Sequence, residues 1–349
     1  MNSESIQEYN SPKILDVRLQ FLNVGIVFVI FEDMQKPFEI TVLGTSSATP
    51  TKDRNPSAQY VRLDKHVFLF DCGEGTQNQL LRNQLKLQKI KYVLISHMHG
   101  DHYFGLPGLI TSMSLFNRTE PLILIGPKAV WDFLTLVINE GGGALSYEIK
   151  FIETNPNVSE ELISHDDFSI TTVPLKHRIP CTGFVLREKG AIRKINVDAC
   201  VENGVPVSFY EELKLGKNYL SETGREIENE DLTFDALSLR SFAYLSDTIY
   251  DPTLVPFIKN VNLLYHESTF MHDRLSRAEE TFHSTAKQAG MIAVQAEVEQ
   301  LMLGHYSARY DELLPLLEEA REEHENTILG CEGLKVELKG SYKVRASAY

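Results

Sequence analysis

The sequence predicts an α/β protein in which sheets and helices pack in layers. From Phe38 onward, short β-type runs alternate with stretches whose apolar residues recur at helical spacing. Hydrophobic residues make up 43% of the 349 residues and charged residues 23%, as is ordinary for a globular protein. The sequence shows no repeat at a solenoid period. Many strands with interspersed helices therefore favour α/β layers.

Strands are predicted from short apolar runs, and helices from apolar residues three or four positions apart. The acidic stretch 311–325 is predicted to be a helix that turns Leu313, Leu314 and Leu317 inward, with its charges on a solvated face. The predicted strands are 38–43, 67–70, 92–95, 122–125, 170–173, 242–245, 261–265 and 301–303, and further helices are predicted around 106–113 and 286–296.

Residues 1–37 differ from the sequence that follows and are predicted to be an N-terminal extension. The run 14–31 alternates poorly between apolar and polar residues, whereas the segment that opens at Met34 has the character of a domain start. We therefore expect residues 38–349 to form the working domain.

The formal net charge is −14. Many nucleic-acid-binding proteins have a surface that is basic overall, and this net charge excludes such a surface here. An RNA or DNA partner would have to be held by local basic patches or by bound metal cations.

The cysteines and the N-terminus predict a cytoplasmic protein without a membrane segment. Cys72, Cys181, Cys200 and Cys331 are far apart and form no C-x-x-C pair, which argues against a disulfide-stapled secreted scaffold. No basic signal-peptide region precedes the early apolar run 24–31, and that run is well short of the ~20 residues that cross a bilayer.

The densest group of metal-binding side chains is the motif His97-Met98-His99-Gly100-Asp101-His102. It follows a predicted strand and precedes a helix, so its side chains can converge on one point. Imidazoles and a carboxylate suit Zn²⁺, Mn²⁺ or iron. The motif offers more ligands than one tetrahedral site accepts once distant ligands are added, which favours two adjacent metals over a surface histidine cluster.

Further candidate ligands follow other predicted strands. His177, Asp247 and His305 each come just after an apolar run, where loops gather around a site. A lone histidine in such a place is usually structural, but the first motif leaves coordination positions to fill. Asp247 is the natural bridging ligand, because one carboxylate can contact two metals.

These motifs resemble those of the metallo-β-lactamase superfamily and, more narrowly, of the ribonuclease Z family of tRNA 3′-processing endonucleases. The likeness extends over residues 38–310, and the motifs occur in the order of the family. Besides the histidine motif, they are Thr41-Val42-Leu43-Gly44-Thr45, Phe70-Asp71-Cys72-Gly73-Glu74-Gly75, Leu245-Ser246-Asp247-Thr248, His266-Glu267-Ser268-Thr269, His283-Ser284-Thr285 and Gly304-His305-Tyr306-Ser307.

The resemblance implies a four-layer αβ/βα sandwich with the site at one edge. It implies two Zn²⁺ ions per subunit, with Mn²⁺ or another divalent ion as the alternative. It also implies a homodimer that acts on precursor tRNA and leaves a 3′-hydroxyl on the tRNA and a 5′-phosphate on the trailer. By the same resemblance, one ion would be held by His97, His99, His177 and Asp247, and the second by Asp101, His102, Asp247 and His305.

Three side chains are assigned to catalysis. Paired divalent ions lower the pKa of bound water toward ~7 and neutralise charge on a phosphoryl group. Asp101 is placed to ligate metal and to accept the proton of the nucleophile. The family motifs suggest His283 as the proton donor to the leaving oxygen, with Glu267 orienting or charging its ring.

His66 lies in no motif and is expected to face solvent.

The substrate-binding arm of the family would lie at residues 187–217. Six lysines and arginines stand there against five carboxylates, a net charge of only +1. The segment also departs from the Pro-Gly-rich pattern that is usual there, and Ser246 stands where the family usually has Gly. A shortened arm with a weak grip on tRNA is therefore expected, because phosphate contacts by Lys and Arg supply most nucleic-acid affinity.

Two other functions compete with the tRNA endonuclease. The first is a small-molecule phosphodiesterase or other hydrolase of the same superfamily, which the acidic composition favours and the later motifs oppose. The second is a binding module that keeps the fold without the chemistry, which the intact set of ligands opposes.

Overall fold

The structure is a computed structural model and describes residues 36–190, 193–234 and 238–340. Nearly all of the predicted extension, residues 1–37, lies outside these ranges, so its role stays a prediction. The first described strand begins at Phe38, the residue predicted to open the domain. None of the helices in the described ranges has the length and apolar character that spanning a bilayer requires.

Two seven-stranded sheets form the centre of the protein. The strands in chain order are β1 (Phe38–Gly44), β2 (Ala58–Leu63), β3 (His66–Phe70), β4 (Tyr92–Leu94), β5 (Leu122–Gly126), β6 (Ile149–Glu153), β7 (Glu161–Ser164), β8 (Phe168–Leu175), β9 (Cys181–Glu188), β10 (Lys194–Ile195), β11 (Tyr219–Leu220), β12 (Glu226–Ile227), β13 (Thr233–Phe234), β14 (Ser241–Leu245), β15 (Leu263–Glu267), β16 (Gln300–Gly304), β17 (Thr327–Leu329) and β18 (Lys335–Glu337).

Both large sheets mix antiparallel and parallel pairs. The first has the order β18–β1–β2–β3–β4–β5–β6, and the second has the order β17–β16–β15–β14–β9–β8–β7. Strands β3 to β6 are parallel in the first sheet, and β14 to β17 are parallel in the second. Because parallel strands end at the same edge of a sheet, the loops after β3 and β4 gather together, as do those after β14, β15 and β16.

Helices flank the two large sheets or lie in the connection from β9 to β14. They are α1 (Thr76–Arg82), α2 (Gly100–Tyr103), α3 (Leu106–Leu115), α4 (Lys128–Glu140), α5 (Val197–Glu202), α6 (Tyr210–Lys214), α7 (Asn229–Leu232), α8 (Val255–Ile258), α9 (Leu275–Thr281), α10 (Ala286–Gln295) and α11 (Leu314–Arg321), with 3₁₀ turns at Leu87–Lys89, Val207–Phe209, Pro252–Leu254 and His272–Arg274.

The apolar residues form separate clusters between the layers. The central cluster lies between the two sheets, where Phe70 meets Phe242 edge-on with ring centroids 5.5 Å apart. A second cluster joins the first sheet to α3 and α4, and a third joins the second sheet to α10 and α11. Helices, sheet, sheet and helices therefore stack in that order, which confirms the predicted four-layer αβ/βα sandwich.

Side chains of a strand point alternately to its two faces, so one strand can contribute residues to two apolar clusters. In β1, Phe38, Ile40 and Val42 face the central cluster, whereas Leu43 faces the helices. Burial on both faces gives the nearly continuous apolar runs from which the strands are predicted.

Each predicted strand overlaps an observed one, but β2, β6, β7, β9 to β13, β17 and β18 are absent from the prediction. Strand β9 contains Gly183, a poor strand former. A Cβ there would lie 2.9 Å from the side chain of Leu245 and 3.0 Å from the carbonyl oxygen of Tyr244, so close packing against β14 requires the glycine.

The helix predicted over 311–325 is shorter, and its predicted inward face is correct only in part, because Leu313 packs half-buried against the third cluster. Helix α11 buries Leu316 and Ala320, whereas Leu314 is 59% exposed. The acidic positions do not set the phase of the helix; its contact with α10 does.

The connection from β9 to β14 carries a small substructure with an apolar cluster of its own, in which Cys200, Leu213 and Leu232 are buried. The predicted arm, residues 187–217, begins inside β9, and the substructure continues beyond it to Phe234. Over residues 193–234, five lysines and arginines stand against nine carboxylates. This inserted arm is therefore longer and more acidic than the sequence interpretation assumed.

Candidate metal centre

The predicted ligands come together at the edge where the parallel strands end. His97 and His99 follow β4, and His177 follows β8. Asp247 follows β14, and His305 follows β16 with a positive φ of 56°. Asp101 and His102 belong to the short helix α2.

Asp247 lies between two groups of histidines. Its Oδ2 is 3.6 Å from Nε2 of His97 and 3.7 Å from Nε2 of His177. Its Oδ1 is 3.4 Å from Nε2 of His102 and 3.2 Å from Nε2 of His305. Each oxygen of this buried carboxylate therefore faces a different pair of imidazoles, as the predicted bridging role requires.

The first group contains His97, His99, His177 and Asp247, whose ligand atoms all lie within 4.8 Å of one another. Nδ1 of His99 is 3.0 Å from Nε2 of His97 and 3.1 Å from Nε2 of His177. Four donors bound at about 2.0–2.1 Å around one tetrahedral ion are separated by similar distances. This group could hold one metal ion.

The second group contains Asp101, His102 and His305, beside Oδ1 of Asp247. Oδ2 of Asp101 lies 3.3 Å from Nε2 of His102 and 3.4 Å from Nε2 of His305. The backbone N–H of Ala48 donates a 2.7 Å hydrogen bond to the same oxygen and fixes the carboxylate. This group could hold a second ion.

The outer nitrogens of four histidines are engaged in hydrogen bonds. Nδ1 of His97 lies 2.9 Å from the hydroxyl of Ser96, and Nδ1 of His177 lies 2.9 Å from the carbonyl oxygen of Phe282. Donation by these Nδ1–H groups leaves the Nε2 lone pairs directed at the centre. Metal-bound histidines are usually oriented in this way. The remaining contacts are His102 Nδ1 to Asp71 at 2.7 Å and His305 Nδ1 to Thr269 Oγ1 at 2.9 Å.

The surroundings of His102 test whether a cation fits. Its Nε2 is buried and makes no hydrogen bond, yet it faces the carboxylates of Asp101 and Asp247. A lone pair that faces two acceptors is repelled unless a positive charge lies between them. Burial lowers the pKa of His102, but the carboxylates of Asp101, Asp247 and Asp71 outweigh it and hold that pKa well above its ordinary value. The donor set therefore fits a divalent metal.

The electrostatics of the first group also suit metal binding. Burial lowers the pKa of His97 well below its ordinary value, and it lowers that of His177 as well. A neutral imidazole is the form that binds a metal, so these histidines need release no proton.

Asp71 is a site residue that the sequence interpretation does not assign. It is fully buried with a φ of 53°, and it accepts hydrogen bonds from Ser96 N–H, Ser96 Oγ, His102 Nδ1 and Tyr244 OH at 2.7–2.9 Å. The motif that begins at Phe70 contains this residue and is the signal that could have identified it.

Glu267 and His283 form a buried pair beside the centre. Oε1 of Glu267 is 2.9 Å from Nδ1 of His283 and accepts the N–H of Thr248 at 2.8 Å. Burial lowers the pKa of His283, but the charge and hydrogen bond of Glu267 outweigh it and raise that pKa to about 9. The imidazole is therefore protonated at neutral pH, as a proton donor must be.

A cavity of about 420 Å³ opens over the centre. Asp101, Asp247, His283 and His305 line it, together with the exposed Arg178. The predicted catalytic groups and part of both ligand groups therefore face one space that a substrate can enter.

His66 corrects a prediction. It is 4% exposed rather than solvent-facing, because it starts β3 and its Nε2 lies 3.1 Å from Oδ2 of Asp167. This contact ties β3 to the turn before β8.

Similarity to solved structures agrees with this architecture. The metallo-β-lactamase fold protein YhfI from Bacillus subtilis is 18% identical and has a TM-score of 0.62, over 87% of this chain and 100% of that one. Together, the architecture and this similarity define a protein of the metallo-β-lactamase fold whose clustered histidines and carboxylates could hold divalent metal ions.

Closer relatives narrow this class. Ribonuclease Z of Parabacteroides distasonis is 40% identical over 301 residues, which are 86% of this chain and 99% of that protein. The crystal structure of human tRNase Z, short form, is 25% identical with a TM-score of 0.62, over 85% of this chain and 98% of that one. The chain belongs to the ribonuclease Z family.

A family model described as anti-Pycsar protein Apyc1 matches residues 38–193. The matched part ends before Asp247, Glu267, His283 and His305. The ribonuclease Z relatives match a larger share, 86% of the chain, and they carry the family assignment.

Proposed function

We propose that this protein is a zinc-dependent endoribonuclease that removes the 3′ trailer from precursor tRNA. Family membership supports the reaction class. The single observation that carries the chemistry is the position of Asp247, whose two oxygens each face a different pair of imidazoles. Paired metals of this kind serve enzymes that displace an oxygen at phosphorus.

The proposed cofactor is two Zn²⁺ ions per subunit, with Mn²⁺ able to replace them. Imidazole nitrogens with a few carboxylate oxygens suit Zn²⁺ better than Ca²⁺ or Mg²⁺, which prefer oxygen ligands. When bound, such ions lower the pKa of water and neutralise charge on a phosphoryl group. The first ion would be held by His97, His99, His177 and Asp247, and the second by Asp101, His102, Asp247 and His305.

Asp101 is the proposed proton acceptor. Its carboxylate lines the cavity, and the Ala48 N–H holds it in place. Burial raises the pKa of Asp101, but His102 and His305 outweigh it and keep that pKa below its ordinary value. The group is therefore ionised at neutral pH, which is the form that can accept the proton of an attacking water molecule.

His283 is the proposed proton donor to the leaving oxygen. Its Nδ1 is held by Glu267, so Nε2 is the nitrogen that remains for the substrate. Donation at the 3′ oxygen of the tRNA would leave a 3′-hydroxyl there and a 5′-phosphate on the trailer. Thr269 supports the pair, since its hydroxyl donates a 2.6 Å hydrogen bond to Oε2 of Glu267.

A cytoplasmic homodimer is also part of the proposal. Cys72, Cys181 and Cys200 are buried free thiols, which suit a reducing compartment. Leu115 and Phe116 at the end of α3 are 76% and 65% exposed and would gain burial in an interface between copies. Light scattering on the purified protein tests this state, and a monomer at micromolar concentration would contradict it.

Cleavage of a labelled, trailer-bearing precursor tRNA with mapping of both ends tests the proposed function. We expect a single cut with the stated end groups, and no cut by Asp101→Ala at unchanged circular dichroism. Asp132→Ala is a matched control, because Asp132 is exposed on α4. Turnover of bis-p-nitrophenyl phosphate without any cleavage of precursor tRNA would contradict the proposal.

A small-molecule phosphodiesterase is the second candidate. The observation that favours it is the acidic character of the inserted arm, where nine carboxylates outnumber five cationic side chains. Such an arm repels a phosphate backbone. The same pair of assays separates the two functions. Metal analysis separates both from a binding module, since a module without the chemistry should hold fewer than two equivalents of zinc.

A further inference from the structure

A groove on the outer face of the first sheet is rich in cationic side chains. Its volume is about 530 Å³, and it lies between the edge of the sheet and the connection from α1 to β4. We call this surface the basic groove. Its charged lining residues are Arg62, Lys65, Lys86, Lys89 and Lys335, with Glu39 and Asp64 as the acidic ones.

Two of these lysines are available to a ligand. Lys86 and Lys89 are exposed, and neither has a carboxylate within ion-pair distance in the described part of the chain. They belong to a stretch, residues 82–91, that holds four lysines and arginines and no acidic residue. In a chain with a net charge of −14, this concentration of positive charge stands apart from the rest.

Two other cations of the groove are partly compensated. Arg62 lies 3.4 Å from Glu39, and Lys65 lies 3.6 Å from Asp167. Both pairs are on the surface, where such contacts hold side chains weakly. The cations can therefore turn toward an anionic ligand.

The basic groove lies at the end of the first sheet opposite the metal centre. Lys65 immediately precedes β3, and Asp71 immediately follows it. The five residues of β3 span about 17 Å at ~3.3 Å per residue. A small phosphodiester at the centre cannot reach the groove, whereas a folded RNA can contact both.

The lining of the groove suits phosphates rather than bases. Its aromatic residue, Tyr60, is 6% exposed and offers no face for stacking. Flexible lysines contact phosphates as point charges without reading sequence. The inserted arm is less suited to this grip, because nine carboxylates stand there against five cationic side chains.

We propose that the basic groove binds the phosphate backbone of the RNA substrate at a distance from the cleavage site. This inference rests on the proposed function and adds to it the surface that holds the RNA. Lys86 and Lys89 are its main contacts, and Lys335 borders the same surface.

Binding of a labelled mature tRNA, which is not consumed, tests the proposal with zinc-loaded protein. Fluorescence anisotropy of Lys86→Glu/Lys89→Glu is compared with that of wild type between 50 and 200 mM salt. The loss of two phosphate contacts should weaken binding by about tenfold or more at 0.1 M salt and should make the log–log salt slope shallower by about 1.5. Lys86→Gln/Lys89→Gln should show an intermediate loss.

A matched control is Lys128→Glu/Lys150→Glu, which changes the net charge equally at exposed lysines outside the groove. Turnover of bis-p-nitrophenyl phosphate should stay at the wild-type rate in every variant and shows that the fold is intact. If the groove variant and the control have equal affinity for tRNA and an equal salt slope, the proposed role of the basic groove is overturned. Wild type that binds tRNA through the groove but cuts no precursor would overturn only the proposed function.

Discussion

The hydroxyl of Tyr244 lies 2.7 Å from Oδ2 of Asp71 and donates a hydrogen bond to it. Tyr244 belongs to β14 of the second sheet, whereas Asp71 follows β3 of the first, so this contact joins the two sheets. The same oxygen of Asp71 lies 2.7 Å from Nδ1 of His102. One buried carboxylate therefore fixes the tautomer of a candidate ligand and ties that ligand to both sheets.

Substitution of Asp71 should act through the metal. Asp71→Asn keeps the shape of the side chain but weakens its hold on His102, so we expect zinc affinity to fall about 10- to 100-fold. Competition with a chromophoric chelator measures this affinity. Tyr244→Phe is the matched variant, because it removes one of the hydrogen bonds of Asp71 and leaves the contact between Asp71 and His102. The fall in zinc affinity should be smaller in this variant. Equal zinc affinity in Asp71→Asn and wild type would contradict the role of Asp71.

Removal of Asp247 should lower the amount of metal that both ligand groups hold. Asp247→Ala deletes the carboxylate that faces all four Nε2 atoms, so we expect bound zinc to fall from two equivalents to less than one, with loss of turnover. Plasma emission spectroscopy on dialysed protein gives the metal content. In wild type, a chelator should abolish activity, and added Zn²⁺ or Mn²⁺ should restore it. Full zinc content in Asp247→Ala would refute the bridging arrangement.

The pH dependence of turnover should report on the pair of Glu267 and His283. The protonated imidazole is the proposed proton donor, so its contribution should be present below its pKa and be lost as the pH rises through about 9. Glu267→Gln removes the negative charge that raises this pKa. The alkaline limb of the kcat/KM profile should then move to lower pH by about one unit or more. If the alkaline limb of the kcat/KM profile does not move in Glu267→Gln, a group other than His283 sets its position.

The control for this pair is His283→Ala. It should lose the alkaline limb and lower kcat by about 10²- to 10⁴-fold, with zinc content near that of wild type. Loss of zinc in this variant would instead make His283 a ligand.

Arg178 should contribute to substrate binding. It follows His177 directly, is exposed and lines the cavity over the centre. A guanidinium in this place can contact a phosphate that flanks the cleaved bond. We expect Arg178→Ala to raise KM for precursor tRNA about tenfold with little change in kcat, and Arg178→Lys to recover part of the loss. A change in kcat alone, measured in steady state, would argue against a binding role.

Phe242 should be important for stability rather than for chemistry. It is fully buried between the sheets and meets Phe70 edge-on. Phe242→Ala should lower the free energy of unfolding by about 3–5 kcal/mol, because it leaves a cavity in the central cluster. Leu314→Ala is the control; Leu314 is 59% exposed, and its replacement should cost less than about 0.5 kcal/mol. Urea denaturation of the metal-loaded protein compares the two.

The sequence by itself was sufficient to predict the layers and to single out the side chains that gather in the two candidate ligand groups. Strands with residues buried on both faces give apolar runs that are visible without any structure, as in β1 and β14. His97, His99, Asp101 and His102 occur within six residues after one such run, so their local spacing already places them together. The distant ligands could be proposed because each comes just after an apolar run, where loops gather around a site.

Only the tertiary structure decided which side chains support these ligands and where other charges gather. Asp71 and Tyr244 are far apart in the chain, and their hydrogen bond depends on how the two sheets face each other. The basic groove likewise joins Lys86 to Lys335 through the order of strands in the first sheet. Sequence periodicity reports which face of an element is buried, because burial follows the period of a helix or strand. It carries no record of the pairing that brings one element beside another, and these sites arise from that pairing.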